Sequence, residues 1–240
     1  MNVVDAARLS DREFIDWLRA AGGGDYHDRH PFHQLMHAGR LTKRQLQEWV
    51  RNRYYYQTRL PLKDALIVAK SDDRHFRRQW ITRIHLQDGF DEDRGGLALW
   101  LRLAEGVGLD PQEVETCGRV LPGVRAACDR YVTLVRDFTL LEAVALSLTE
   151  LFAPRLMAAR LEAWETHYPW VDATTLGYFR ARVTQARVDS EIALTFVTRH
   201  AETFELQSRC IQALKTKNEI LWTLLDHVHG AYVEGADDDR

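Results

Sequence analysis

Cysteine is scarce in this chain: Cys117, Cys128 and Cys210 are the only three among 240 residues, and no CxxC pair occurs. An odd number at such distances excludes a disulfide frame and reads as free thiols in a reducing cytoplasm. Long apolar runs are lacking as well. None approaches the roughly 18–20 residues that span a bilayer, and Asp5, Asp11, Glu13 and Asp16 exclude a secretory segment over the first twenty positions. Charge of one sign is not in excess. The 32 Lys and Arg face 35 Asp and Glu, a net charge of -3, which gives no support to a nucleic-acid or membrane-surface role. Period-2 alternation, Asn-Gly hairpins and repeats of 20–50 residues are also missing. What is present is 45% apolar and 28% charged residues, enough for one well-filled core. A single domain over 1–240 is expected, with a frayed tail at 235–240.

The apolar spacing is helical almost throughout. Ser10 with Glu13, and Thr42 with Gln45, form capping boxes ahead of Phe14, Trp17 and Leu18 and of Leu46, Trp49 and Val50. The second of these helices runs toward Pro61, which is expected to kink or end it. Asp72 or Asp73 caps a further helix through Phe76, Trp80 and Ile84 to Gly89, and residues 89–96 read as a loop. Leu97–Val107 follows, closed by Gly108, and Asp110-Pro111 has the order of an N-cap and first helical residue. Helices are expected near 122–136, 139–152 and 154–165. Two long ones come last: one buries Leu176, Phe179, Val183, Ala186, Ala193 and Val197, the other Ile211, Leu214, Ile220, Leu221, Leu224, Leu225 and Val228. The sequence predicts an all-α compact bundle of about seven helices.

Three stretches carry side chains that can do chemistry. Arg53, Tyr56 and Gln57 stand at i, i+3 and i+4, so one helix face offers a cation, a phenol and an amide. Lys63 follows just beyond Pro61. Tyr178 and Arg182 repeat the pairing of phenol and guanidinium at i, i+4. Glu150 sits in an apolar run, where a carboxylate must either meet a cation or rise in pKa, and Arg160 lies on the next helix. Solvated arginine faces are the ordinary alternative for the first two. His27, His30, His33 and His37 are close enough to suggest metal ligands, but no Glu-x-x-His occurs and Pro31 interrupts the run, so no metal is expected.

Taken in order, YHDRHPFHQLMHAG (26–39), RNRYYYQTRLPLKDA (51–65), QDG followed by GG and WLRLAEGVGL (100–109), VLPGVR (120–125), SLTELFAP (147–154), HYPW (167–170) and ILWTLLD (220–226) resemble the pyrroloquinoline quinone synthase family. The resemblance runs from near the start to about Tyr232. It implies a haem-oxygenase-like helical bundle, a homodimer, and a cytoplasmic oxidase that needs no metal or organic cofactor. Its substrate would be a small polycarboxylate quinone precursor, its oxidant O2 and its product pyrroloquinoline quinone. It further implies catalytic roles for His27, Tyr131, Tyr178, Arg182 and Lys217. Tyr26, Arg53, Tyr56, Gln57, Lys63, Arg83, Gln87, Thr149, Glu150, Met157 and Arg160 would hold the substrate. A substrate with several carboxylates needs several cations, and Arg53, Lys63, Arg83, Arg160, Arg182 and Lys217 supply them.

Two positions depart from the family pattern. Gln87 and Met157 stand where the family has His, and neither side chain can become an imidazolium. His85 does not replace the first of these, because two residues along a helix is about 200° of rotation. A relative that binds the quinone or its precursor without turning it over is therefore the second reading. A thiaminase-like hydrolase with Cys128 as nucleophile is the third, although nothing in the sequence pairs that thiol with a base.

Overall fold

The computed structural model describes residues 7–90 and 95–235, and these are helical with no strand among them. The helices are α1 (Asp11–Gly24), α2 (Pro31–His37), α3 (Lys43–Ala69), α4 (Arg74–Trp80), α5 (Thr82–Asp88), α6 (Gly96–Gly106), α7 (Pro111–Glu115), α8 (Pro122–Asp137), α9 (Leu140–Ala145), α10 (Ala153–His167), α11 (Gly177–His200) and α12 (Phe204–His229). Single 3₁₀ turns lie at His27–Arg29, Leu146–Leu151 and Ala173–Leu176, and a π turn at Gly230–Glu234 ends the described chain. None of the described helices is long and apolar enough to cross a membrane.

Most of the expected boundaries hold. Both capping boxes form, Asp73 caps α4, and Asp110 caps α7 ahead of Pro111. The count is higher than seven because several expected helices are divided. The stretch from Asp73 to Gly89 turns at Ile81 and becomes α4 and α5. The stretch 139–152 is α-helical only to Ala145 and then tightens to a 3₁₀ turn. The larger correction concerns the ending expected at Pro61: α3 does not stop there but runs on to Ala69, a helix of 27 residues in all with Pro61 buried inside it. Of the expected loop, Asp91 to Arg94 lie outside the described residues, as does the expected tail beyond Gly235.

The apolar faces predicted for the last two long helices are the ones that pack inward. Phe179, Ala193 and Val197 of α11 and Leu214, Leu224, Leu225 and Val228 of α12 are fully buried. The centre of the molecule is different in kind. Helix α3, with α5, α6 and α8 packed against it, buries every residue from Arg51 to Gln57. Enclosing so polar a helix is costly wherever its groups lack partners. Asn52 finds partners on both sides, donating to the Glu48 carbonyl at 2.9 Å and accepting from the Leu121 amide at 2.9 Å.

Glycine is required where α1 meets the 3₁₀ turn at Leu146–Leu151. A Cβ on Gly22 would lie 2.6 Å from Cε2 of Phe152 and 2.9 Å from Cδ2 of Leu214. Gly22→Ala should lower stability by about 1–2 kcal/mol, overpacking outweighing the gain of about 1 kcal/mol in helix propensity. Urea unfolding measures this, and a variant as stable as the parent would show that Phe152 yields freely.

Candidate active site

The six cations singled out in the sequence come together in the interior, where they divide into two groups. The first group is neutralised. Lys63 Nζ lies 2.6 Å from Asp64 Oδ1, which also accepts from Arg83 Nε at 3.3 Å and from the Trp80 indole at 2.8 Å. Arg83 bonds to Glu150, and Asp189 lies 3.6 Å from it. Arg182 stands 3.1 Å from Asp189 and 3.6 Å from Glu150. Lys63, Arg83 and Arg182 thus face Asp64, Glu150 and Asp189, three charges against three. The 3₁₀ turn helps to build this network, because residues i and i+3 eclipse in that geometry. Ser147, which accepts from Lys63 at 2.9 Å, and Glu150, which binds Arg83, consequently share one side. Burial pushes the Glu150 carboxyl up, but Arg83, Lys63 and Arg182 outweigh it and hold the group below its ordinary value. Asp189 is pushed above its ordinary value by burial and by Glu150.

The second group has no carboxylate. Among the described residues, Arg53, Arg160 and Lys217 form no ion pair. Arg53 NH1, Arg160 Nε and Lys217 Nζ are buried without a hydrogen-bond partner. Aromatic faces hold them instead. Lys217 Nζ lies 3.2 Å from the Tyr131 ring centre and 4.4 Å from that of Tyr56, and the Arg53 guanidinium lies 3.9 Å from the Tyr56 ring. Arg160 rests over Trp49 at 4.9 Å and Phe179 at 5.5 Å. Each such contact is worth about 2 kcal/mol when desolvated, against several kcal/mol to bury each ion. The deficit appears as proton affinity. Burial and the neighbouring Arg53 bring Arg160 down to about 9 and hold Lys217 well below the ordinary lysine value.

The remaining predicted residues surround this group. His33 donates from Nδ1 to the His27 carbonyl at 2.8 Å, so its Nε2 is free to accept from Arg160 at 3.1 Å. Burial and Arg160 keep that imidazole neutral. The His27 ring lies 5.0 Å from His33, and its Nδ1 is buried without a partner. Tyr26 packs on His27 from the other side at 4.5 Å. It also lines a surface pocket of about 470 Å³, with Phe152, Arg19, Arg29 and Arg155. Tyr178 donates to Gln57 Oε1 at 2.8 Å, and Gln87 donates to the same oxygen at 3.4 Å and to the Gln57 carbonyl at 3.2 Å. Met157 turns its sulfur to Arg160 NH1 at 3.9 Å, and Thr149 is buried in the 3₁₀ turn.

Reading the sequence missed four participants: Asp64, Asp189, His33 and Ser147. Asp64 follows Lys63 directly, so a signal existed; Asp189 stands seven residues after Arg182, two helical turns along the same face. Cys128 has no nucleophilic character in this setting, since burial pushes its thiol up to about 12. Among the described residues no three His, Cys, Asp or Glu side chains are arranged to hold a metal ion. His30 is occupied otherwise, bonding to Asp226 at 3.0 Å and capping α2 through the Phe32 amide.

Asp64 is the acceptor that three donors share. Asp64→Asn should destabilise the fold by about 3 kcal/mol or more, because two buried cations lose their counter-charge. Chemical denaturation at neutral pH checks this, and a loss below about 1 kcal/mol would show that Glu150 and Asp189 suffice alone.

The chain has relatives among known proteins. Pyrroloquinoline-quinone synthase of Pseudomonas syringae pv. tomato is 48% identical over 228 residues, 95% of this chain and 90% of that protein. The protein of the same name from Acidiphilium cryptum is 49% identical over 225 residues, 94% of this chain and 92% of its own length. Among solved structures, a domain with a heme oxygenase-like fold from Shewanella denitrificans superposes with a TM-score of 0.75 over 93% of this chain and 94% of its own, at 14% identity. A TenA homolog from Pseudomonas syringae pv. tomato gives 0.72 over 93% and 98%, at 13% identity. The architecture is therefore the haem-oxygenase-like all-α bundle. The sequence profile of the TENA/THI-4/PQQC family matches residues 16–227, and this chain belongs to that family.

Proposed function

We propose that the chain is a quinone-forming oxidase of the pyrroloquinoline-quinone synthase type, acting on a small aromatic precursor with several carboxylates. One observation carries this reading: among the described residues the buried basic groups of Arg53, Arg160 and Lys217 form no ion pair, and each has a nitrogen without a hydrogen-bond partner. A polycarboxylate supplies the missing charge, with oriented guanidinium contacts from Arg53 and Arg160. The names of the relatives at 48% and 49% identity support the choice of a quinone precursor over other polyanions. Access lies through the pocket that Tyr26 shares with Arg19, Arg29 and Arg155.

The oxidation needs protons removed from the substrate ring and electrons passed to O2, each two-electron step yielding one hydrogen peroxide. Lys217, held weakly protonated by burial and by Arg53, is suited to accept a proton. His27, neutral for the same reasons and with Nδ1 unpartnered, is the second candidate. The enclosed residues exclude water from the electron-rich ring. Incubation of the protein with the precursor in air tests the assignment, with oxygen uptake and quinone absorbance as readouts. Binding that alters the spectrum with no peroxide over many hours would leave a carrier in place of an oxidase. Gln87 and Met157 favour that second reading, because neither can deliver a proton to reduced oxygen.

Lys217→Ala should weaken binding of the quinone product about thirty-fold, the equivalent of roughly 2 kcal/mol for removing one member of a buried charge contact. Unchanged affinity would remove Lys217 from the site.

Binding should also take up protons. Burial and Arg53 hold Lys217 well below the ordinary lysine value in the absence of a counter-ion, and a bound carboxylate favours its protonated form. Affinity is then highest where Lys217 carries its proton and falls as pH rises through the range in which it is lost. Calorimetry in two buffers of different ionisation enthalpy measures the uptake, and a pH-independent affinity would contradict the charge argument.

A further inference from the structure

Residue 61 sits inside α3, and an α-helix bonds each N–H to the carbonyl four residues earlier. Pro61 has no N–H, so the Gln57 carbonyl receives nothing from it. That carbonyl is buried, where an unmet acceptor costs about 1–3 kcal/mol. The Gln87 amide approaches from α5 and places Nε2 3.2 Å from the Gln57 carbonyl oxygen. A carbonyl can only accept, so the amide of Gln87 must present its NH2 end there. The same NH2 lies 3.4 Å from the Gln57 side-chain amide, which must therefore turn its oxygen, not its nitrogen, toward Gln87. That oxygen is also 2.8 Å from the Tyr178 hydroxyl. Burial keeps the Tyr178 phenol protonated, so the hydroxyl is the donor. Three hydrogen-bond directions thus follow in sequence from one missing N–H.

The sequence accommodates this chain of bonds elsewhere. Gln87 is buried, and a Cβ on Gly96 would lie 2.4 Å from its Oε1, so glycine at 96 leaves the amide its position. The Tyr178 ring is held edge-on against Trp100 at 4.8 Å, and Trp100 is fixed by donating to the Val50 carbonyl at 2.9 Å.

We propose that Gln87 is a positioning residue that acts through Gln57, committing the Tyr178 hydroxyl hydrogen to the protein and leaving Tyr178 only an acceptor toward the interior site. Tyr178 lies within electrostatic reach of Arg53, Arg160 and Arg182, so its oxygen borders that site. A ligand N–H, O–H or ammonium is then favoured beside Tyr178, and a carbonyl or carboxylate oxygen is disfavoured. This ligand preference rests on the interior being the binding site; the direction of the Tyr178 bond does not.

The test uses the ligand-free protein and so stands apart from any failure of the oxidase reading. A neutron structure should show the Tyr178 deuterium on the line to Gln57 Oε1; a deuterium directed into the interior overturns the proposal. In Gln87→Leu the Gln57 amide should turn and present nitrogen to Tyr178; if its oxygen stays in place, Gln87 does not set the polarity. Thermal denaturation supplies the coupling to the proline. Gln87→Leu should lower Tm by about 3–8 °C in the parent, as an orphaned carbonyl predicts for a chain of this size. In a Pro61→Ala background, where residue 61 donates to Gln57, the loss should fall below about half of that. Equal losses in both backgrounds would refute the link. Where Gln87→Leu alone does not fold, Pro61→Ala/Gln87→Leu is used for the neutron comparison.

Discussion

Three basic side chains, Arg53, Arg160 and Lys217, buried without an ion pair among the described residues, are the constraint around which this bundle is built. Taking one ion out of water costs several kcal/mol, and a good contact with an aromatic face returns about 2. Lys217 against Tyr131 and Tyr56, and Arg160 against Trp49 and Phe179, recover part of that cost. The remainder is a standing penalty that a globular protein of ordinary stability carries only where the rest of the fold is rigid enough to prevent relaxation. A flexible interior would let these side chains swing out to water, as long cationic chains do at most surfaces.

The rigidity comes from the balanced network beside them. Asp64, Glu150 and Asp189 tie α3, α5, the 3₁₀ turn at Leu146–Leu151 and α11 through Lys63, Arg83 and Arg182. Residues of one charge sign therefore do two kinds of work. Cations paired to carboxylates fix the relative positions of four elements, and the unpaired cations are the ones that the proposed function gives to an anionic substrate. The split also explains why a near-neutral chain can hold a strongly positive interior: the compensating acidic residues lie elsewhere, on exposed faces.

Periodicity and capping signals were enough to read the helical class, the two capping boxes and the buried faces of α11 and α12, because each depends on neighbours within a few residues. The six cations were legible for different reasons: Arg53, Lys63, Arg160 and Arg182 stood beside phenols, a proline or an apolar run, whereas Arg83 and Lys217 entered only through the family resemblance. Their division into paired and unpaired sets was not, since it depends on Asp64 and Asp189, whose partners lie up to 106 positions away, Arg83 and Lys63 for the first and Arg83 and Arg182 for the second. Pro61 shows the same limit more sharply. Local rules end a helix at an interior proline, and they fail here because the amide that meets the freed carbonyl comes from Gln87, 30 residues further on.

Gln87 and Met157 are best understood together. Both are buried against groups of the interior site, Gln87 on Gln57 and Met157 on Arg160. Neither can gain or lose a proton near neutral pH, so the imidazole pair of the family pattern is replaced by one fixed dipole and one soft contact. The groups that can still exchange protons are then those beside the unpaired cations: Lys217, and His27 with its unpartnered Nδ1. In both, burial and then Arg53 work against the charged form, so each holds a proton weakly and has its free-base form available to take one from a substrate. For the oxidase proposed above, proton removal from a bound ring would keep its acceptors, whereas protonation of reduced oxygen would lack the two imidazoles of the family pattern, and the balance between turning over a quinone precursor and merely holding it would be set at that second step.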